Sequence, residues 1–187
     1  AHDRTHYHLY KLADTGGEPE ALTSGDEWSC HTAKFSPDGD SLYCLYTPNT
    51  EYVYNLIEVA RLDWPAVGEP TVLTDGFDRP VREMTVSGDR VYFTAPDEGK
   101  VRLFAVATNG RGGVEALNRG SGGVYAGVQA AGRTLVARWE DATNPAEIVR
   151  VSTRNGKQER LTSFNVERAA ILDRQPFRSF WIETPLG

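Results

Sequence analysis

The chain has 187 residues, of which 40% are hydrophobic and 25% charged, and its formal net charge is −6 at pH 7. This composition is ordinary for a globular protein with one sizeable core, and a net acidic chain lacks the basic surface that nucleic acid requires. No apolar run approaches the roughly 20 residues of a membrane span. We therefore expect neither nucleic acid nor a membrane among its partners.

The first predicted elements are two strands in HLYKLADTGGEPEALT (8–23). His6 and His8 share one face of the leading strand, and His2 and Asp3 lie nearby. A zinc site needs three or four convergent ligands, and this segment offers no third ligand at a telling spacing. We therefore expect a solvated strand here, with no metal and no cofactor.

A hairpin follows in KFSPDGDSLYCLY (34–46), where Pro-Asp-Gly-Asp supplies the turn. The same layout recurs in MTVSGDRVYFT (84–94) and GVQAAGRTLVARW (127–139), and a second hairpin ending in Leu-Thr or Leu-Asn follows each time. These endings are 51, 44 and 44 residues apart. They begin at Leu22, Leu73, Leu117 and Leu161.

Cys30 and Cys44 fall on the two arms of the first hairpin. Two cysteines are too few for a disulfide scaffold, and the two are not obviously opposite each other. Free cysteine is among the most buried residue types. We therefore expect both cysteines to be reduced and to lie in the core or in strands.

A period in the mid-forties that carries four short strands is the signature of a β-propeller blade. One blade cannot bury its two partly apolar faces, whereas stacked blades bury both. The predicted fold class is therefore all-β, a partial β-propeller of about three and a half four-stranded antiparallel blades. An incomplete ring that starts in mid-blade indicates a segment of a larger protein. The predicted units are a half blade at 1–23 and full blades at about 30–74, 82–117 and 125–162, with inner strands near 30–35, 82–87 and 125–130.

Aromatic residues follow several of the Leu-Thr endings, namely Trp28, Phe77 and Phe164. Large aromatic side chains usually supply buried area, which favours packing between neighbouring blades. The alternative is a stacking surface for a ligand at the central channel.

After Thr162 the repeat stops, in SFNVERAAILDRQPFRSFWIETPLG (163–187). Asn165 closely follows Leu-Thr, and about a dozen residues then lead to an aromatic-rich stretch with Phe177, Phe180 and Trp181. This tail resembles the exit from the propeller into the catalytic domain of prolyl oligopeptidase-family serine peptidases, closest to their acylaminoacyl-peptidase and dipeptidyl-peptidase-like bacterial branch. The repeats FSPDG and GGEPEALT are similar to those that this family shares with TolB-type propellers.

The resemblance implies a propeller segment over 1–165, then a linker and first strand over 166–187 that lead into an α/β-hydrolase domain. The family's nucleophile occupies a G-x-S-x-G elbow, which is missing from this chain. The nearest case is Ser121 in RGSGG, where Arg119 replaces the first glycine. No geometric sign supports a triad built on His2, His6, His8 or His31. We expect no catalytic residue here, a serine-type exopeptidase or oligopeptidase as the whole protein, and a bacterial cytoplasmic location.

The loop GFDRPVREM (76–84) carries the candidate substrate-binding residues Arg79, Arg82 and Glu83. In the family that the chain resembles, the propeller caps the active site and screens substrates by size and end group. A carboxylate can bind a free peptide amine there, and arginine can bind a peptide carboxylate through two hydrogen bonds. The alternative is an exposed surface loop whose charges serve solubility.

Two functions remain open at this point. The first is a non-catalytic propeller that gates oligopeptide substrates for the C-terminal hydrolase domain of the same protein. The second is a TolB-like binding propeller segment that acts by protein–protein interaction. In either case an open segment exposes blade faces and unpaired strand edges, which predicts a possible homo-oligomer.

Overall fold

A computed structural model of the chain describes residues 6–52, 54–118 and 122–185. Nearly all regular structure in these ranges is β-strand, as the alternation of apolar and polar residues predicts. The strands are β1 (Tyr10–Lys11), β2 (Glu20–Ala21), β3 (Trp28–Phe35), β4 (Ser41–Pro48), β5 (Glu58–Asp63), β6 (Thr71–Val72), β7 (Glu83–Ser87), β8 (Arg90–Asp97), β9 (Lys100–Ala107), β10 (Glu115–Ala116), β11 (Val124–Ala131), β12 (Thr134–Glu140), β13 (Glu147–Ser152) and β14 (Gln158–Arg160), and the helix is α1 (Val166–Ala170).

The strands pair as consecutive antiparallel meanders, which we call the half blade (β1–β2), blade 1 (β3–β6), blade 2 (β7–β10) and blade 3 (β11–β14). Blades 2 and 3 also touch through a single parallel pair, Val124 with Val101. The first strand of each blade lies near its predicted inner position. The predicted fold class, an all-β partial propeller, is confirmed.

The core lies between the blades rather than within them. Successive side chains of a strand point to opposite faces, so in β4 Leu42 and Cys44 face the half blade while Tyr43 and Leu45 face blade 2. A further cluster between blades 2 and 3 includes Tyr125. Each blade therefore buries its apolar faces only against its neighbours, as stacked repeats do.

The recurring Leu-Thr and Leu-Asn endings have a common structural cause. At each one the leucine N–H donates to the carbonyl of a residue in the third strand, or of Leu9 just before β1 in the half blade, and the next side chain accepts the N–H of that same residue. The side-chain oxygen thus replaces a backbone acceptor where the short outer strand ends. The bonds run from Leu9 N to Thr23 Oγ1 at 2.9 Å, from Val59 N to Thr74 Oγ1 at 3.0 Å, from Leu103 N to Asn118 Oδ1 at 3.1 Å and from Ile148 N to Thr162 Oγ1 at 2.9 Å.

Replacing Thr74 by valine is expected to lower the free energy of unfolding by about 1–3 kcal/mol, because the buried Val59 N–H loses its acceptor while the side-chain shape is kept. Urea denaturation measures the change. Thr71→Val on the exposed side of β6 is the matched control and is expected to stay within about 0.5 kcal/mol of wild type. Equal effects from the two variants would contradict this role for the threonine.

Cys30 and Cys44 form a disulfide, with Cα atoms 5.9 Å apart and both side chains fully buried. The prediction that they are reduced is wrong. A bulge between His31 and Lys34 shifts the register of β3 by one residue, so Cys30 lies opposite Tyr46 instead of Thr47. This shift turns Cys30 to the face that carries Cys44, because a one-residue slip flips a side chain across a sheet.

The aromatic residues after the Leu-Thr endings have different surroundings. Phe77 packs edge-on against Phe93 and Phe104 at ring-centroid distances of 5.7 and 5.0 Å, between blades 1 and 2. Trp28 packs 6.0 Å from Tyr46, at the core that faces the half blade. Phe164 is 80% exposed. Packing between blades therefore accounts for two of the three positions.

Beyond α1 the described residues form no strand, so the strand predicted at 177–182 is not formed within this chain. A strand needs a neighbour to pair its backbone groups, and no blade edge lies alongside this segment in the sheet pairing of the described residues. Phe177, Phe180 and Trp181 are exposed. The short α1 is too short to cross a membrane, and no other helix in the described ranges could do so.

Candidate functional site

The antiparallel order of the strands sorts the connections onto two ends of the blades. One end, which we call the loop end, carries the links between blades (24–27 and 75–82) and the turns between second and third strands (49–57, 98–99 and 141–146). The opposite end carries the remaining hairpin turns. The chain leaves blade 3 at the loop end, so the tail and the predicted substrate loop lie on the same side of the propeller segment.

Arg79 lies at the loop end within a network of ion pairs. Its Nε is 2.9 Å from Asp97 Oδ1, and Asp97 Oδ2 in turn contacts Arg102 at 2.7 Å. Arg102 also binds Glu98 at 2.8 Å, and Arg79 contacts Asp78. Asp97 and Arg102 are nearly buried, with 10% and 12% of their side chains exposed. Arg79 is therefore held in place by carboxylates of its own chain.

The guanidinium of Arg79 also lies over an aromatic ring. Its Cζ is 5.7 Å from the centroid of Phe77, a cation–π distance. Because Phe77 packs against Phe93 and Phe104, this contact ties Arg79 to the core between blades 1 and 2. Arg79 still keeps about a third of its side chain exposed, at 37%.

Arg82 differs from Arg79 in its surroundings. Its backbone N–H donates to Thr94 O at 2.9 Å, which extends the pairing of β7 with β8 by one residue. Its side chain is exposed and makes no ion pair or hydrogen bond with the described residues. Of the two arginines in the loop, Arg82 is therefore the one available to an anionic group from outside.

Glu83 connects two inner strands. It is the first residue of β7, and its Oε2 accepts the N–H of Val128 on β11 at 3.2 Å. This bond closes the inner edge between blades 2 and 3, where a β-sheet pairing is absent. The carboxylate of Glu83 is thus already engaged by the fold.

Glu147 is a buried carboxylate that sequence reasoning missed. It is 2% exposed, and it accepts hydrogen bonds from the Thr162 hydroxyl, Phe164 N at 3.1 Å and Asn165 N at 2.6 Å. The bond from Thr162 first, and then the two backbone N–H groups, hold the pKa of Glu147 below its usual range despite burial. Glu147 therefore fixes the path by which the chain leaves blade 3.

The sequence does carry a signal for Glu147. Glu58 and Glu147 occupy the same position of the repeat. Each directly precedes the third-strand residue, Val59 or Ile148, whose N–H donates to the threonine of the Leu-Thr ending. In blade 1, burial and the nearby Asp75 raise the pKa of Glu58 instead. The same repeat position thus has opposite electrostatic surroundings, and only blade 3 supplies donors from the exit segment.

The tail crosses the loop end over blade 2. A cavity of about 530 Å³ is lined by Glu98 and Lys100 at the turn between β8 and β9 and by residues 178–181 of the tail. Glu98 is the residue that binds Arg102. The segment after blade 3 therefore lies beside the ion-pair network that holds Arg79.

His6 and His8 lie just before β1 rather than on a strand, and the structure brings no metal site together in the described ranges. The rings of His6 and His8 lie parallel, with centroids 6.5 Å apart. Among the described residues, no group of three or more His, Cys, Asp or Glu side chains is placed to hold a metal ion. The other candidates for this site, His2 and Asp3, lie outside the described residues, as do Arg119 and Ser121 of the RGSGG stretch.

Comparison with known proteins gives matches among solved structures alone: no family model matches the chain, and no curated protein does. Acylaminoacyl peptidase from Pyrococcus horikoshii matches with 27% identity and a TM-score of 0.66, over 89% of this chain and 24% of that one. The chain therefore spans about a quarter of that peptidase's length.

Two further structures share the fold at lower identity. The β-propeller domain of the Trilobed protease from Pyrococcus furiosus is 21% identical over 90% of this chain and 46% of its own, with a TM-score of 0.63. A putative TolB from Agrobacterium tumefaciens is 19% identical over 86% of this chain and 56% of its own, with a TM-score of 0.66. The predicted resemblance is thereby confirmed: this chain is a β-propeller segment similar in sequence and fold to the propellers of prolyl oligopeptidase-family peptidases such as acylaminoacyl peptidase.

Proposed function

We propose that the chain is the non-catalytic propeller portion of a serine peptidase and that it screens oligopeptide substrates for an α/β-hydrolase domain of the same protein. The observation that carries the proposal is the 27% identity with an acylaminoacyl peptidase over 89% of the chain. In this proposal residues 1–165 belong to the propeller and 166–187 lead into the hydrolase domain, which supplies the catalytic triad.

The geometry of the loop end supports a propeller that screens substrates and a separate hydrolase domain that cleaves them. Glu147 directs the exit segment from the loop end, and Arg82 presents a positive charge on the same end. The exposed Phe177, Phe180 and Trp181 are the kind of apolar surface that a neighbouring domain covers. A hydrolase domain on the loop end would therefore place its active site opposite Arg82.

The alternative is a binding propeller that acts by protein–protein interaction. The fold shared with a putative TolB favours it, although 19% identity bears on the fold alone. The coding sequence after Gly187 separates the two proposals. A downstream G-x-S-x-G elbow, peptidase activity of the longer protein and its loss on Ser→Ala replacement at the elbow would support the peptidase. Further blades with no peptidase activity would support the binding propeller.

Replacing Arg82 by alanine in the longer protein is expected to change substrate selection rather than the chemical step. Loss of a hydrogen bond to a charged group costs about 1.5–3 kcal/mol, or roughly tenfold or more in kcat/KM, for peptides whose carboxylate reaches it. Neutral amide-ended peptides should be cleaved as before. Arg133→Ala at the opposite end of blade 3 is the control, and identical kinetics of both variants on all peptides would leave Arg82 a surface charge.

A further inference from the structure

A cavity of about 390 Å³ lies at the loop end of blade 1, and none of the candidate substrate-binding residues Arg79, Arg82 and Glu83 lines it. Cavities of about 300–1,000 Å³ accommodate small molecules. Its walls come from the start of β3, the end of β4, the loop before β5 and the chain segment before β1. They include Tyr7, Ser29, His31, Pro48, Tyr54 and Asn55.

The cavity opens at the inner edge of blade 1. β3 is the innermost strand of that blade, and its free edge is covered by the segment around Tyr7: Cys30 N–H donates to Tyr7 O at 3.0 Å, and Tyr7 N–H donates to Ser29 Oγ at 3.3 Å. The Tyr7 and His31 rings meet edge to face at 5.5 Å. The side chains of Tyr7 and His31, which belong to different segments, thus pack against each other at the cavity wall.

The backbone at the wall is strained. Thr32, inside the bulge of β3, has a φ of 55°, which is an outlier for a β-branched residue. The corresponding bulge of β11 uses Gly127 at a φ of 64°, where no side chain is strained. A glycine would serve the bulge in β3 equally well, so the turn itself does not require threonine.

The Thr32 side chain instead acts on the histidine. Its Oγ1 is 3.0 Å from His31 Nδ1, which fixes the ring and leaves Nε2 without a partner among the described residues. Burial lowers the pKa of His31, which favours the neutral form of the ring. Strain retained where a side chain orients another is a property of binding and catalytic sites.

The chemistry of the wall selects a neutral ligand. Among the residues that the structure describes, no Lys, Arg, Asp or Glu side chain lines this cavity. Tyr7 and Tyr54 are largely exposed and offer ring faces to an aromatic group. The imidazole of His31 can hydrogen-bond an uncharged peptide unit.

We propose that this cavity binds an uncharged aromatic residue of a peptide, with the ring against Tyr7 and Tyr54 and the peptide unit hydrogen-bonded to Nε2 of His31. That the ligand is a peptide rests on the proposed function; that it is neutral and aromatic rests on the cavity. Thr32 is a positioning residue: its hydroxyl contacts Nδ1 of His31 and so orients Nε2 toward the ligand.

Ligand-observed NMR titration of the full chain with N-acetylphenylalaninamide tests the proposal. We expect saturable binding, with much weaker binding of N-acetyllysinamide and N-acetylaspartic acid amide. His31→Gln, which removes the imidazole that bonds the ligand, and Thr32→Gly, which removes the hydroxyl that orients this imidazole, are each expected to weaken binding about three- to tenfold. Thr32→Gly should also raise the melting temperature, because the strain is relieved while the bulge is kept. Arg133→Gln at the opposite end is the control and should bind as wild type.

Absence of saturable binding, or unchanged affinity in both His31→Gln and Thr32→Gly, would overturn the proposal. The outcome is separable from that of the proposed function. If the longer protein cleaves peptides while this chain binds no aromatic amide, the cavity assignment alone fails. If the aromatic amide binds as expected but no peptidase activity exists, the cavity stands as a site for neutral aromatic groups and the peptidase proposal fails.

Discussion

Replacing Asp97 by asparagine is expected to lower the free energy of unfolding by about 3 kcal/mol, the lower end of the cost of breaking a buried ion pair. Asp97 binds Arg79 through one oxygen and Arg102 through the other, at 2.9 and 2.7 Å. Asparagine keeps the shape but removes the charge, so both guanidinium groups lose their common partner. Arg102, 12% exposed, cannot recover that loss from water.

Urea denaturation of the Asp97→Asn and Glu98→Gln variants compares how much each carboxylate contributes to the free energy of unfolding. Glu98 also binds Arg102, but its carboxylate is 57% exposed, so its replacement is expected to cost less than about 1 kcal/mol. The Asp97 variant should in addition release Arg79, and in the longer protein its substrate preference should shift toward peptides with a free carboxylate. A cost for Asp97→Asn no larger than that for Glu98→Gln would mean that the network adds little.

Reduction of the Cys30–Cys44 disulfide is the second large effect. The two cysteines are 14 residues apart, and a crosslink that closes a loop of this length stabilises a protein by about 3 kcal/mol through the unfolded state. Thermal denaturation with and without dithiothreitol measures this directly. The Cys30→Ala/Cys44→Ala variant is the control, since reductant should leave its melting temperature unchanged. A wild-type melting temperature that is insensitive to reductant would show that the bond does not form.

The disulfide also bears on where the protein works. Disulfides persist in oxidising compartments and are rare in the bacterial cytoplasm, whereas the sequence led us to expect a cytoplasmic protein. Mass spectrometry of the protein from its native source, after thiol blocking, distinguishes the two: unmodified cysteines indicate the bond, and two blocked thiols indicate a reducing compartment.

The repeat pattern was readable because its causes are local. Turn residues such as Pro37 and Gly39 act within a few positions, and apolar alternation reports a strand from its own residues. The Leu-Thr endings mark the repeat in the sequence without revealing their structural role. The structure supplies that role, and it explains why Asn118 can replace threonine: each side chain presents an oxygen to the backbone N–H at the equivalent position of its blade.

The surroundings of the charges in loop 76–84 depend on residues far away in the sequence. The sequence alone predicts one role, substrate binding, for the three charged residues Arg79, Arg82 and Glu83. In the structure Arg79 binds Asp97, Glu83 binds the backbone of Val128, and Arg82 stays exposed. The difference lies in partners 18 and 45 residues away, which only the stacking of blades brings into contact.

The sequence by itself determined an all-β chain of repeated four-stranded units and the family that it resembles. The repeat period, the turn residues and the Leu-Thr endings all depend on residues that are close together in the sequence. The tertiary structure decided what depends on register. One extra residue in β3, at Thr32, turns Cys30 toward Cys44 and places His31 opposite Leu45 on the other face. A single slip exchanges the two faces of a strand, so the disulfide and the cavity at His31 could not be derived from the order of residues alone.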